Sequence, residues 1–307
     1  MTHRDCHLVE IVVPAHNEAA ILDANIERLL DAASGFGFSW AITIVDSAST
    51  DDTWQIARRL EERRTAVSAL RAPHPGRGRA LRMAWERSDA TVLAYIDADL
   101  SGGAESLGWM ADRILEGEAD LVIGSRLVDG ALVERRAIRE FLSRTYSEVL
   151  QWVAMPPFLD AQCGLKVLRA DVVRPLLAQV HDQAWFFDTE LLLAAWQSGA
   201  RIHEVPLHWV ERPQSTVRLP STIADDLKGL ARITRTLRTN TRPALTRPMS
   251  PSTPHLHRLA AAATATAVGA GLARGVRPRT VAGATALAQL LAWRAGEHLR
   301  RSWSATR

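Results

Sequence analysis

Cysteine is almost missing from this chain. Its two, Cys6 and Cys163, form neither a CxxC pair nor a cluster with histidine, which excludes a disulfide framework and a structural zinc and points to a reducing compartment. A metal site would therefore have to be built from oxygen ligands. A long apolar leader is missing too: the start MTHRDCH sets Arg4 and Asp5 ahead of a short apolar run, so no cleaved secretory peptide is expected and the cytosolic side is the expected place of work. No GxGxxG follows the first apolar run and no GK[ST] occurs, which excludes a dinucleotide fingerprint and a P-loop. No internal repeat is visible, and lysine is scarce, almost every base being arginine.

What is present begins with size. The 307 residues and 33.8 kDa accommodate one α/β domain of about 200 to 250 residues plus an appendage. The net charge of +3 hides an asymmetry. Residues 231–307 hold thirteen arginines, no lysine and one acid, Glu297, a charge of +12, whereas residues 1–230 hold 24 bases and 33 acids, a charge of −9. A basic tail on an acidic body suggests attraction to a polyanion. The arginines are not interleaved with aromatics in a nucleic-acid module, so no nucleic acid is expected and the anionic surface of a membrane is favoured.

Residues 8–13 form an apolar run broken only by Glu10 and ended by Pro14, the pattern of a buried strand. Ile21, Leu22, Asn25, Ile26, Leu29 and Leu30 then recur at helical spacing, closed by Gly35 and Gly37. The alternation repeats: a strand at 41–45, a helix over 53–64 with Asp51 or Asp52 as N-cap, a strand at 67–71, a helix over 80–87 and a strand at 91–96. Further strands are predicted at 120–125, 163–168 and 201–210, with helices over 136–154 and 188–198. Such alternation predicts an α/β fold with a mostly parallel sheet covered by helices, whose ligands sit at the carboxyl ends of the strands. Asn17, Glu18, Asp46, Asp97 and Asp99 would then meet in one crevice.

The character changes near residue 220, and the chain divides by pattern into a domain over 1–220, a basic amphipathic helix over 221–239, a Pro/Thr/Ser-rich linker over 240–256 and an alanine- and arginine-rich helical hairpin over 257–307. In the first helix Ile223, Leu227, Leu230, Ile233 and Leu237 make an apolar stripe opposite Lys228, Arg232 and Arg235, suited to a membrane surface. The apolar stretches 259–273 and 281–293 each fall short of the ~20 residues of a spanning helix, so a membrane-associated hairpin and packing on the main domain both remain open.

Asp97 and Asp99 follow the strand that ends at Ile96, where a turn allows both carboxylates to reach one ion. Hard oxygen ligands of this kind suit Mg²⁺ or Mn²⁺ bridging a diphosphate, although acids after strands are also ordinary turn formers. Asp46 can accept a hydrogen bond from a nucleobase N–H or cap its own loop. In HPGRGR, Gly76 and Gly78 permit close backbone approach to a ligand, with Arg77 and Arg79 placed for a phosphate; a basic surface turn is the plain alternative.

Together VVPAHNEA (12–19), VDSASTDDT (45–53), HPGRGRALRMAW (74–85), YIDADLS (95–101) and LVIGSR (121–126) resemble the family 2 glycosyltransferases of GT-A fold. Downstream, DAQCGLKVLRA (160–170), WFFDTELLLAAWQSGARIHEVPLHWVE (185–211) and Ser215 are similar to the branch that glycosylates polyprenyl phosphates, especially the dolichyl-phosphate glucosyltransferase group. The resemblance spans residues 7–238 in collinear order. It implies that Pro14, Ala15, Asn17 and Glu18 line the nucleotide pocket, that Asp46 reads the base, that Asp97 contacts nucleotide sugar or metal, and that Asp99 ligates the metal. It also implies that Arg126, Arg139 with Ser143, and Lys166 surround the diphosphate and the acceptor phosphate, and that Asp188 faces the acceptor. Ser47 and Ala48 depart from the family's frequent Asp and Gly, and no QxxRW is present, so one sugar would be added at a time.

The implied reaction is inverting transfer from a nucleotide diphosphate sugar to a polyprenyl phosphate at the cytoplasmic face of a membrane. UDP-glucose is favoured over GDP-mannose by the downstream motifs alone. A soluble glycan acceptor, and a catalytically silent nucleotide-sugar sensor, are the competing readings; intact Asp97, Asp99 and Asp188 speak against the sensor.

Overall fold

The structure is a computed structural model that describes residues 8–211, 228–230 and 232. Seven strands form one sheet in the order β3-β2-β1-β4-β7-β5-β8. β1 (Leu8–Ala15), β2 (Ser39–Ser47) and β4 (Val92–Ile96) lie at its heart. They read as nearly continuous apolar runs because helices cover both faces of a parallel sheet. α1 (Leu22–Ser34) buries Leu22, Asn25, Ile26, Leu29 and Ala33, the stripe expected from its spacing. α2 (Thr53–Arg63) buries Ile56, Ala57 and Leu60. β3 (Val67–Ala72) closes one edge beside β2.

α3 (Arg77–Trp85) begins three residues before the predicted start at Ala80. The reason is tertiary: the amides of Gly78 and Arg79 donate to the carbonyls of Ala184 and Gln183 at 3.1 and 2.9 Å, which satisfies the open first turn from outside. α4 (Ser106–Leu115) was not foreseen; its apolar face, with Leu107, Met110 and Ile114 buried, adds to the core. β5 (Leu121–Ser125) is followed by the short β6 (Leu132–Glu134) and by α5 (Ala137–Ala154). β7 (Leu165–Arg169) then inserts antiparallel between β4 and β5. α6 (Ala170–Leu176) and α7 (Phe187–Gln197) precede the last strands.

The single strand expected over 201–210 is two. β8 (Ile202–Pro206) pairs with β5, and β9 (His208–Val210) leaves to pair with β6. The break falls at Pro206, which has no amide to donate to a continuing ladder. Two compact units are present, Met1–Ala137 with Pro156–Thr241, and Ile138–Met155 with Arg242–Arg307. The linker over 240–256 and the hairpin over 257–307 lie outside the described residues, as does most of the 221–239 helix. Among the described residues no helix is long and apolar enough to cross a membrane.

Candidate active site

The parallel register sets Ala15 beside Asp46 and Pro14 beside Val45 at the carboxyl ends of β1 and β2. Side chains lace the two following loops together. The Asn17 amide donates to Ser49 Oγ at 2.9 Å, its side-chain oxygen accepts from the Thr50 amide at 2.8 Å, and the Glu18 amide donates to Thr53 Oγ1 at 2.8 Å. Asn17 holds φ 57°, a left-handed conformation that asparagine tolerates better than most residues. Asp52 holds the N-cap position of α2 without a side-chain capping bond, and Asp51 before it accepts from the Thr53 amide at 3.0 Å. Asp46 is fully buried. Its Oδ1 accepts from the Ser49 amide at 3.1 Å, a loop cap. Its Oδ2 lies 3.1 Å from Arg71 Nε in an ion pair but receives no hydrogen bond, leaving an acceptor that a ligand N–H would satisfy.

At the end of β4 the chain bends through Leu100, with φ 53°, and the Leu100 amide donates to the Asp97 carbonyl at 2.9 Å. Asp99 is half-buried and accepts from the Ser101 amide at 2.9 Å. Burial pushes Asp97 up to about 6; Arg77 opposes this, and the charges of Asp99 and Asp188 add to it. Burial, then the charges of Asp99, Asp97 and Asp51, push Glu18 up to about 7. The crevice therefore carries more negative charge than it neutralises.

That excess gives a testable pH dependence. Between the ordinary 4.5 of Glu18 and its folded value of about 7, the folded chain holds a proton that the unfolded chain has lost, so stability falls as pH rises through this window. The Glu18→Gln variant should lose that slope, most clearly between pH 6 and 7, above the Asp97 titration at about 6. Thermal unfolding against pH without divalent cations measures it; an unchanged slope would assign the titration to another group.

Gly164 had no assigned role, yet it lies directly under this carboxylate. Its carbonyl accepts from the Asp97 amide at 2.9 Å, and a Cβ added there would stand 1.8 Å from Asp97 Oδ2. Gly164→Ala should therefore displace Asp97 and destabilise the fold by about 1–3 kcal/mol, the usual cost of overpacking. The urea midpoint checks it, and a variant as stable as the parent would mean that the Asp97 side chain moves freely.

Behind Asp97 runs a buried charge network. Arg77 Nη2 is 3.0 Å from both Asp97 carboxylate oxygens and Nη1 is 3.0 Å from Asp188 Oδ2. The guanidinium stacks on Trp185, 4.3 Å from the ring centre. Lys166 Nζ lies 3.1 Å from Asp188 Oδ1, donates to Tyr95 Oη at 2.9 Å and to the Cys163 carbonyl at 2.6 Å. The Tyr95 hydroxyl donates to Asp188 Oδ1. Burial alone would raise Asp188, but Lys166 and Arg77 outweigh it and hold the carboxyl below its ordinary value. Burial pushes the Cys163 thiol up to about 12, which leaves it inert as a nucleophile.

Lys166 is fully buried against Asp188 and Tyr95. Arg77 pairs with the two carboxylates Asp97 and Asp188. At Gly76, with φ 144°, the close approach is made by the chain itself: an added Cβ would meet the Gln183 carbonyl oxygen at 2.3 Å. Arg126 is likewise engaged, gripping Asp160 through Nε and Nη2 at 2.7 Å each, with its own amide 2.9 Å from the same carboxylate. Arg139 and Ser143 lie on α5, whose residues 138–155 belong to the other unit. In the C-terminal helix Leu230 is buried, an added Cβ on Gly229 would stand 2.3 Å from Phe186, and Arg232 Nη2 is 2.6 Å from Glu190 Oε1. Of the expected stripe and its basic side, Leu230 and Arg232 are the described members with these contacts, and apart from Lys228 the rest lies outside the described residues.

Tyr95, Asp160, Gly164 and Trp185 belong to the site although the sequence marked none of them. Each sits inside a motif that carried the family resemblance, but their pattern is that of core and turn residues. Among the described residues no three of His, Cys, Asp or Glu form a ready-made metal site. Two carboxylates, Asp97 and Asp99, with Glu18 adding charge, nevertheless fit Mg²⁺ or Mn²⁺, which take one or two protein carboxylates and complete their shell with phosphate and water.

The profile of the family described as Glycosyl transferase family 2 matches residues 10–177, more than half of the 307. The glycosyltransferase AglD of Haloferax volcanii is 29% identical over 243 residues, which cover 78% of this chain and 38% of AglD. The dolichyl-phosphate beta-glucosyltransferase of Dictyostelium discoideum is 27% identical over 239 residues, 73% of this chain and 73% of that protein. This chain thus spans 38% of one relative and most of the other. Among solved structures, glucosyl-3-phosphoglycerate synthase from Mycobacterium tuberculosis, in complex with Mn²⁺, uridine diphosphate and glucosyl-3-phosphoglycerate, aligns with a TM-score of 0.57 at 18% identity, over 78% of this chain and 82% of that one. It shares the mostly parallel GT-A sheet, and on the profile match and the collinear relatives this chain belongs to glycosyl transferase family 2.

Proposed function

We propose that this enzyme moves one sugar, glucose in preference to mannose, from a nucleotide diphosphate donor to a polyprenyl phosphate, with inversion and with a divalent cation. The observation that carries the reading is the convergence of Glu18, Asp97 and Asp99, mutually repelling carboxylates, at the carboxyl ends of β1 and β4. The names of the relatives, dolichyl-phosphate glucosyltransferases among them, support the acceptor.

Pro14, Ala15, Asn17 and Glu18 line the nucleotide pocket in this reading, and Asp46 Oδ2 takes the base N–H. Asp99, with Asp97 beside it, would hold Mg²⁺ or Mn²⁺, which when bound neutralises charge on the departing diphosphate. An acceptor phosphate is anionic at neutral pH and needs orientation more than deprotonation. Asp188, ionised and held by two cations, therefore orients its surroundings and does not act as a general base. Arg126, fixed by Asp160, presents a preorganised positive charge to the acceptor phosphate in this reading. The basic C-terminal region would hold the enzyme at the cytoplasmic face of an anionic membrane.

Transfer of labelled sugar from UDP-glucose, with GDP-mannose in parallel, to a polyprenyl phosphate in detergent tests this reading. Glycolipid formed from UDP-glucose and abolished by EDTA is the expected result. Product on a soluble acceptor alone would overturn the acceptor, and donor binding without any product would favour a sensor.

A further inference from the structure

Arg77 has one buried end and one end at the crevice. Its guanidinium is 6% exposed and pinned by Trp185 and by Asp188, which is fully buried and shared with Lys166 and Tyr95. From that anchor Nη2 reaches Asp97, whose side chain is 26% exposed, and lies 3.0 Å from each of its oxygens. An arginine fork held on its inner side cannot swing away as a surface lysine would. A fixed positive charge therefore stands on the first acid of the pair that would hold a divalent ion.

We propose that Arg77 is the resident counter-cation of Asp97: it satisfies that carboxylate in the donor-free enzyme, keeps divalent-ion affinity low until a diphosphate supplies further ligands, and directs the ion to Asp99. The inference rests on the metal-dependent reading above. Its physical basis is like-charge repulsion in a partly desolvated site, where a fixed cation opposes a second one. Arg77 is by this account a positioning residue, and its effect is on the order in which ion and donor bind.

The experiment measures Mn²⁺ binding to the full chain by electron paramagnetic resonance, with Mn²⁺ alone and with Mn²⁺ plus UDP. Arg77→Met combined with Asp188→Asn removes one charge of each sign and leaves no new unpaired carboxylate beside Lys166. This variant should bind Mn²⁺ alone about tenfold more tightly, and the gain should shrink when UDP is present. Arg77→Gln, should the double variant fail to fold, should show the same direction; Arg77→Lys, which keeps the charge but loses the anchored fork, should bind Mn²⁺ alone more tightly than the parent and less tightly than Arg77→Gln. A purely structural role would lower unfolding temperatures without moving donor-free Mn²⁺ affinity. Unchanged or weaker Mn²⁺ binding in a folded, charge-removed variant overturns the proposal. Failure of the parent to transfer sugar would instead sink the functional reading, because the Mn²⁺ titration does not depend on turnover.

Discussion

Asp99→Ala should lower sugar transfer by about 10²–10³-fold, the range seen when one group that stabilises developing charge is removed. The fold should barely notice. Asp99 is half-buried and accepts a hydrogen bond from the Ser101 amide at 2.9 Å, worth about 1 kcal/mol. Losing the hard oxygen ligand while keeping the turn through Leu100 separates chemistry from stability. Initial rates at saturating donor, read beside a urea unfolding curve, measure the two effects in one preparation. A variant with parental rate would place the cation elsewhere; one that unfolds readily would make Asp99 structural.

Asp188→Ala should do the reverse and destabilise the protein by about 3–5 kcal/mol, because it strands buried cations. Arg77 and Lys166, 6% and 0% exposed, both lose their shared carboxylate, and the Tyr95 hydroxyl loses its acceptor. The sign with pH follows from the folded carboxyl lying below its ordinary 3.8: its contribution is complete well above that value and fades as pH falls through the depressed one. The deficit of the variant should thus be full at pH 7 and shrink in acid. Asp188→Asn, which keeps the shape, should cost less. Denaturant midpoints at constant m-value check this, and a loss below about 1 kcal/mol would mean that water or a neighbour replaces the carboxylate.

The contrast between the two acids was only half legible. Asp99 is read as a metal ligand from its place after the strand and from the resemblance, Asp188 as an acid facing the acceptor from the resemblance alone. That Asp99 lies open to the crevice while Asp188 is sealed beneath it depends on α7 packing against α3, where Gly78 admits the Phe187 side chain; an added Cβ would stand 2.5 Å from it. Lys166 shows the same limit. A lysine in a strand pattern reads as surface, yet β7 inserts between β4 and β5 and buries it. Burial of its charge is tolerated because Asp188 and the Cys163 carbonyl meet it there.

The alternation of apolar runs and helical stripes determined the α/β layering by itself, since period and burial are local properties of the chain. It also determined which loops meet at one edge, because carboxyl ends of parallel strands lie together. Helix starts that are capped from elsewhere, the antiparallel insertion of β7, and the split of the last strand at Pro206 needed the tertiary structure. So did the pairing of Arg77 with Asp97 and Asp188, 20 and 111 residues away. The physical reason is that charge partners in a buried network are chosen by proximity after folding, and neither hydrophobic period nor motif spacing encodes a contact over that separation.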